Sequence, residues 1–264
     1  MSWQHVAVAT EAVLRAGVIQ RERYGRGVEV EHKGEIDLVT EVDRDCERAI
    51  LEVIRSRFPA HDVVTEESGP ELTGSRYVWF VDPLDGTTNF AHSYPVFCAS
   101  VALAVDGEVV AGAVYDPTRD ELFTAERGGG AHLNGRRLRV SAAGELIESL
   151  LITGFPYDLH RNLVRRLRRF NRLMGLARAV RRDGSAAINL SYVAAGRADG
   201  FWEEVLKPWD VAAGRLLVEE AGGRVTRFDG SSLGLGPDEV LATNGRIHEA
   251  MVSVLREEKQ AALV

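Results

Sequence analysis

Asp82 and Asp85 stand in the loop D-P-L-D-G-T-T, directly after the apolar run 77–81. Acidic side chains at the end of a buried strand are costly to desolvate unless positive charge neutralises them. Neither Lys nor Arg occurs in Y-V-W-F-V-D-P-L-D-G-T-T-N-F, so a divalent cation is the simplest partner. Two further acidic points occupy similar places: Glu66-Glu67 after a short apolar run, and Asp210 behind Lys207-Pro208-Trp209 at a helix start. Each has an ordinary alternative. Asp-Pro and Asp-Gly are common turn formers with solvated carboxylates, Glu66-Glu67 also reads as an exposed turn, and Asp210 can cap free N–H groups. An EF-hand fits worse, because Pro83 interrupts the loop and Ser93 stands where a bidentate Glu would close it. Together the acidic clusters favour a cation held by oxygen alone. Such donors select a hard ion, Mg²⁺ or Mn²⁺, over Zn²⁺.

These acids need elements that end near one another. Residues 77–81 read as a strand buried on both faces, stopped at Asp82-Pro83 because proline has no N–H for a ladder. Upstream, an amphipathic helix carrying Val6, Val13, Leu14 and Ile19 ends at Gly25 or Gly27, and a short strand over 36–39 follows the Lys33-Gly34 turn. A second helix starts at Thr40, with Asp43 at capping-box spacing, and stops at Pro59. Residues 62–65 give a brief strand. Downstream, Asp106-Gly107 and Asn134-Gly135 are two-residue hairpin turns, which makes 97–140 a largely antiparallel sheet. From 150 onward, strands (150–153, 177–180, 199–203, 224–227, 240–243) alternate with helices (159–174, 186–195, 209–221 and one from 247). The fold class is therefore α/β: an α+β N-terminal half over 1–142 and an α/β C-terminal half over 143–264, joined near 141–144.

The chain has 264 residues, 45% hydrophobic and 27% charged, which suits a folded soluble protein, and its net charge of -7 argues against a general nucleic-acid binder. Cys46 and Cys98 lack metal-type spacing and read as reduced, apolar residues. Residues 1–17 lack the pattern of a signal peptide and no run reaches membrane-spanning length, so a cytoplasmic protein is expected. One helix stands out. Arg161, Arg165, Arg166, Arg168, Arg169 and Arg172 alternate with an apolar face of Leu163, Leu167, Phe170 and Met174. Given the acidic total, the basic side reads first as a solvated face; binding of RNA or an acidic regulatory protein, or steering of anionic phosphates, are its alternatives.

D-P-L-D-G-T-T-N-F, with T-E-E-S-G upstream and K-P-W-D-V-A-A-G-R-L-L-V-E-E-A-G-G downstream, closely resembles the inositol monophosphatase family of Mg²⁺-dependent phosphatases. The resemblance runs from the first helix to the last. It implies a layered αβαβα sandwich, a homodimer, two to three Mg²⁺ per site (Mn²⁺ being possible) and inhibition by Li⁺. By the same resemblance Glu66, Asp82 and the Leu84 carbonyl hold a first metal. Asp82, Asp85 and Asp210 hold a second, and Glu66 with waters supports a weaker third. Thr87 and Asp43 orient and deprotonate the attacking water, with Glu67 and Lys33 in support; Asp43 also fits a capping box, and Lys33 an exposed turn. The Gly86 and Thr87 N–H groups hold the phosphate. Gly184, Ser185, Ala186 and Glu203 line a polyol pocket that Asp85 and Asp210 complete, although Glu204 beside Glu203 leaves room for a one-residue slip. The implied substrate is inositol monophosphate. Fructose 1,6-bisphosphate, histidinol phosphate, adenosine 3′,5′-bisphosphate or NADP are the alternatives that related branches serve.

Overall fold

In the computed structural model, residues 3–26, 30–32, 38–156, 163–236 and 238–261 are described. Strands β1 (Val30–His32) and β2 (Leu38–Thr40) form a small antiparallel ribbon. An eight-stranded sheet follows. It contains β3 (Asp62–Thr65), β4 (Gly69–Glu71), β5 (Tyr77–Asp85), β6 (Cys98–Val105), β7 (Glu108–Asp116), β8 (Glu121–Glu126), β9 (Gly130–Leu133) and β10 (Arg136–Arg137). Their order is β10-β9-β8-β7-β6-β5-β3-β4. The meander from β5 to β10 is set by turn chemistry. Asp106 and Gly107 have φ of 52° and 83°, Asn134 and Gly135 48° and 77°, the left-handed pair that a tight hairpin requires. Only β3 runs parallel to β5, so the Glu66-Glu67 turn and the Asp82–Asp85 segment emerge at the same sheet edge.

β5 does not stop at Asp82-Pro83 as the proline suggests. Its pairing with β6 breaks after Asp82↔Ser100 and resumes at Asp85↔Cys98. Pro83 rides in a bulge, where the ladder asks for no N–H. The bulge places both aspartates at the strand end.

The second sheet has five strands: β11 (Leu150–Thr153), β12 (Ala179–Arg181), β13 (Gly200–Leu206), β14 (Arg224–Thr226) and β15 (Asp238–Thr243), in the order β12-β11-β13-β15-β14. β11 is parallel to β12 and β13, whereas β15 is antiparallel to β13 and β14. Helices α1 (Trp3–Arg23) and α2 (Glu41–Arg57) pack on the large sheet, and a short α3 (Thr87–Ala91) follows β5. α5 (Ala186–Ala194) and α6 (Pro208–Glu220) lie between the two sheets, while α4 (Leu163–Leu176) and α7 (His248–Ala261) pack together beyond the small one. The middle layer reads as apolar all round because it is covered on both sides: Ala187, Ile188, Leu190, Leu216 and Leu217 are each 0% exposed. The result is the expected αβαβα sandwich.

α4 departs most from its sequence pattern. Residues 159–162, including Arg161, lie outside the described residues. Within the helix, Leu163, Leu167 and Met174 are 41%, 39% and 51% exposed, while Arg166 and Arg169 are 4% and 2% exposed. The solvated basic face expected from the sequence is therefore partly an inward one. The physical reason is Glu204 on β13, whose carboxylate receives both buried guanidinium groups.

Candidate active site

A cavity of about 390 Å³ opens where β5 ends, α5 and α6 begin and β13 finishes. Of the residues singled out in the sequence, Glu66, Asp82, Leu84, Asp85, Gly86, Thr87, Gly184, Ala186, Glu203 and Asp210 all line it. Asp43 and Ser185 stand behind that wall, each bonded to a lining side chain. Glu67 does not line it, and Lys33 lies outside the described residues.

Asp82 is 2% exposed. Its Oδ1 accepts the Leu84 N–H at 3.0 Å, which folds the loop back on the aspartate. Asp85 faces it from the far side of the bulge, its Oδ2 accepting the Ala187 N–H at 2.6 Å and the Ser185 hydroxyl at 2.7 Å. Those bonds tie β5 to the first turn of α5. Asp210 is the third residue of α6; its Oδ2 accepts the Lys207 N–H at 2.7 Å. The capping role foreseen for Asp210 is real, and the same carboxylate also faces the cavity.

Thr87 opens α3. Its hydroxyl lies 3.0 Å from Asp43 Oδ1 and 3.0 Å from the Leu84 carbonyl. Asp43 Oδ2 accepts the Thr40 N–H at 2.8 Å, completing the capping box of α2. Asp43, 0% exposed, thus caps one helix and holds a hydroxyl at the start of another. Gly86, the N-cap of α3, has φ 101°, and a Cβ there would stand 2.8 Å from the Val96 carbonyl oxygen. A side chain is excluded on both counts.

The electrostatics of the acids share one direction. Burial pushes the Asp82 carboxyl well above the ordinary range, and Glu66, Asp85 and Asp210 add to it. Burial and then Asp85 do the same to Asp210. Burial also raises Asp85, against the opposing bonds from Ser185 and Ala187. Glu203 is pushed up to about 8, by burial first and Asp85 second, with Arg182 pulling the other way. Among the described residues, no three His, Cys, Asp or Glu side chains are gathered closely enough to hold a metal as they stand. A hard cation is the group that would relieve the mutual repulsion of these buried carboxylates. The donor chemistry fits Mg²⁺.

Some structural supports of the site had no signal in the sequence. Glu47 of α2 accepts the N–H groups of Glu67 at 3.2 Å and Ser68 at 3.4 Å, shaping the turn that carries Glu66. A Cβ on Gly154 would fall 2.0 Å from Glu203 Oε2, so glycine lets that carboxylate lie where it does and a larger residue would make it shift. The Asn89 amide donates to the Val96 and Asp183 carbonyls at 2.7 and 2.8 Å, joining α3 to the loop before α5. Arg182, with its guanidinium 5.8 Å from the Phe155 ring, and Lys207 supply positive charge on a mostly acidic wall.

The family model for the inositol monophosphatase family matches residues 2–260. An inositol-1-monophosphatase of Synechocystis is 48% identical over 250 residues, covering 94% of this chain and 87% of the other. A protein named Nus factor SuhB in Escherichia coli is 44% identical over 259 residues, with 97% of each chain covered. The solved inositol monophosphatase of Anabaena superposes with a TM-score of 0.88 at 42% identity, covering 97% of this chain and 96% of that one. The chain belongs to the inositol monophosphatase family.

Proposed function

We propose that this phosphatase hydrolyses inositol monophosphate or a closely similar polyol phosphate with the help of Mg²⁺. The observation that carries the reading is the buried Asp82, repelled by Glu66, Asp85 and Asp210, beside the Thr87–Asp43 pair. Glu66, Asp82, Asp85, Asp210 and the Leu84 carbonyl are the groups that would hold the metal. When bound, Mg²⁺ supplies positive charge against the phosphate dianion and acidifies water at neutral pH. The chain does the rest. The Gly86 and Thr87 N–H groups at the uncapped start of α3 donate to phosphate oxygens. Thr87, donating its hydroxyl proton to Asp43, keeps a lone pair to accept from the attacking water and so fixes its direction. Asp43 is the base behind it, since a threonine hydroxyl is too weak an acid to act alone. Ser185 and Ala187 orient Asp85, and Glu203 with Gly184 and Ala186 contacts the alcohol part of the ester.

Phosphate release from inositol 1-phosphate, fructose 1,6-bisphosphate, histidinol phosphate, adenosine 3′,5′-bisphosphate and NADP⁺, with and without millimolar Mg²⁺, tests this reading. Mg²⁺-dependent preference for inositol 1-phosphate is expected, and Li⁺ should inhibit. Preference for another ester would keep the chemistry and change the substrate. A regulatory role is suggested by the name of the Escherichia coli relative, but the arginine face that suggested it in this sequence is partly buried against Glu204.

A further inference from the structure

Val205 has φ of 68° and is 48% exposed. A β-branched residue in the left-handed region is an outlier and survives only where its surroundings fix it. It sits in a bulge: β13 pairs with β15 through Glu203↔Val240, then shifts register to Leu206↔Asp238. On one side of the bulge is Glu203, whose carboxylate packs against Gly154 in the cavity. On the other, Lys207 leads into α6 and Asp210.

Glu204, within the bulge, is held by arginines of α4. Its Oε2 lies 3.1 Å from Arg165 Nη2 and 3.1 Å from Arg166 Nε, and its Oε1 receives Arg169 Nη1. Arg169 is itself stacked 4.9 Å from the Phe228 ring. Burying these charges is expensive, and apolar side chains of the same volume would join α4 to β13 at least as well. The network gives direction instead: a carboxylate gripped by guanidinium groups from one helix has a single place to be. Successive strand residues face opposite ways, so fixing Glu204 toward α4 fixes Glu203 toward the cavity.

We propose that Glu204, with Arg166 and Arg169, is a positioning group that holds the strained 203–205 bulge in the shape that presents Glu203 to a substrate hydroxyl. The proposal rests on the polyol-phosphatase reading above. The test compares inositol 1-phosphate with 4-nitrophenyl phosphate, an ester with no hydroxyl for Glu203, in wild type and Glu204→Gln with Mg²⁺ present. In Glu204→Gln, KM for inositol 1-phosphate should rise about tenfold, the scale of one hydrogen bond to a charged group, with kcat and the 4-nitrophenyl phosphate kinetics changed less than about twofold. Adding Val205→Gly should recover most of that loss, because glycine adopts the bulge conformation without strain. Should Glu204→Gln fail to fold, the triple variant Arg166→Met, Arg169→Met, Glu204→Leu keeps the packing and should show the same selective rise. Equal loss on both esters, or no loss on either, overturns the positioning role while leaving the phosphatase intact. Wild type inactive on both esters overturns the polyol-phosphate reading on which the proposal rests.

Discussion

Asp82 concentrates the electrostatics of the site in one side chain. Its folded pKa is raised by burial and by its acidic neighbours, so the folded state binds a proton more tightly than the unfolded chain does. The stability this contributes is present below the ordinary carboxylate value of 3.8 and is lost as pH rises through the folded value. Metal-free protein should therefore be weaker at about pH 8 than at about pH 5, and Mg²⁺ should raise its Tm more at the higher pH. Asp82→Asn removes one source of repulsion. In chelator near neutral pH its Tm should exceed that of wild type, its gain from Mg²⁺ should shrink, and its activity should fall more than about tenfold. Thermal melts with chelator and with Mg²⁺, beside phosphate release, check all three; activity within tenfold of wild type would sink the assignment of Asp82 to the metal. The acids are legible in the sequence because carboxylates at the ends of apolar runs and at helix starts are costly to bury and so stand out. Glu47 and Gly154 are not: a buried glutamate and a loop glycine acquire meaning only from what the fold brings against them.

Elements were legible where a local rule decides. The hairpin turns at Asp106-Gly107 and Asn134-Gly135 need left-handed residues and have them. α4 departs from the outward placement its charges suggest, because one glutamate on another element draws Arg166 and Arg169 inward. β5 runs past the point where the proline rule would end it, because that rule applies to ladder positions and Pro83 occupies a bulge. His248 at the start of α7 shows a similar tertiary decision. It is 0% exposed, with Nδ1 2.9 Å from Thr243 Oγ1 on β15 and Nε2 2.9 Å from Thr226 Oγ1 on β14. Burial, and then Arg224, lower its pKa from 6.5 to about 4. Between those values the unfolded chain takes up a proton that the folded chain refuses, so the stability from neutral His248 is complete above 6.5 and drains as pH falls toward about 4. The urea midpoint of wild type measured against that of His248→Asn should drop on going from about pH 7 to about pH 5, the shared contribution of the acidic site cancelling in the difference. An identical slope in the two proteins would remove His248 as the cause.

At the scale of the molecule, the site depends on how closely the layers approach, because Asp85 is tied to α5 and Asp210 rides on α6, between the sheets. Small residues set that distance. A Cβ on Gly112 of β7 would stand 3.0 Å from Ala213 Cα, and one on Gly214 of α6 would stand 2.5 Å from Leu190 Cβ on α5. Helix propensity alone would favour replacing Gly214, by somewhat less than about 1 kcal/mol. Overpacking a filled core costs about 1–3 kcal/mol, so the packing term wins. Gly214→Val should lower Tm by several degrees. It should also raise the Mg²⁺ concentration needed for half-maximal activity, since α6 cannot shift without moving Asp210. Gly175 in α4 is the matching control: it is exposed, and a Cβ there meets nothing within 4 Å. Gly175→Ala should stabilise by roughly 0.5–1 kcal/mol and leave the Mg²⁺ dependence unchanged. Two glycines in two helices, substituted toward better helix formers, should thus move stability in opposite directions, and only the one in the middle layer should disturb the site. Thermal melts and Mg²⁺ titrations of the two variants side by side decide it: a normal Mg²⁺ titration in a destabilised Gly214→Val would separate layer spacing from the site.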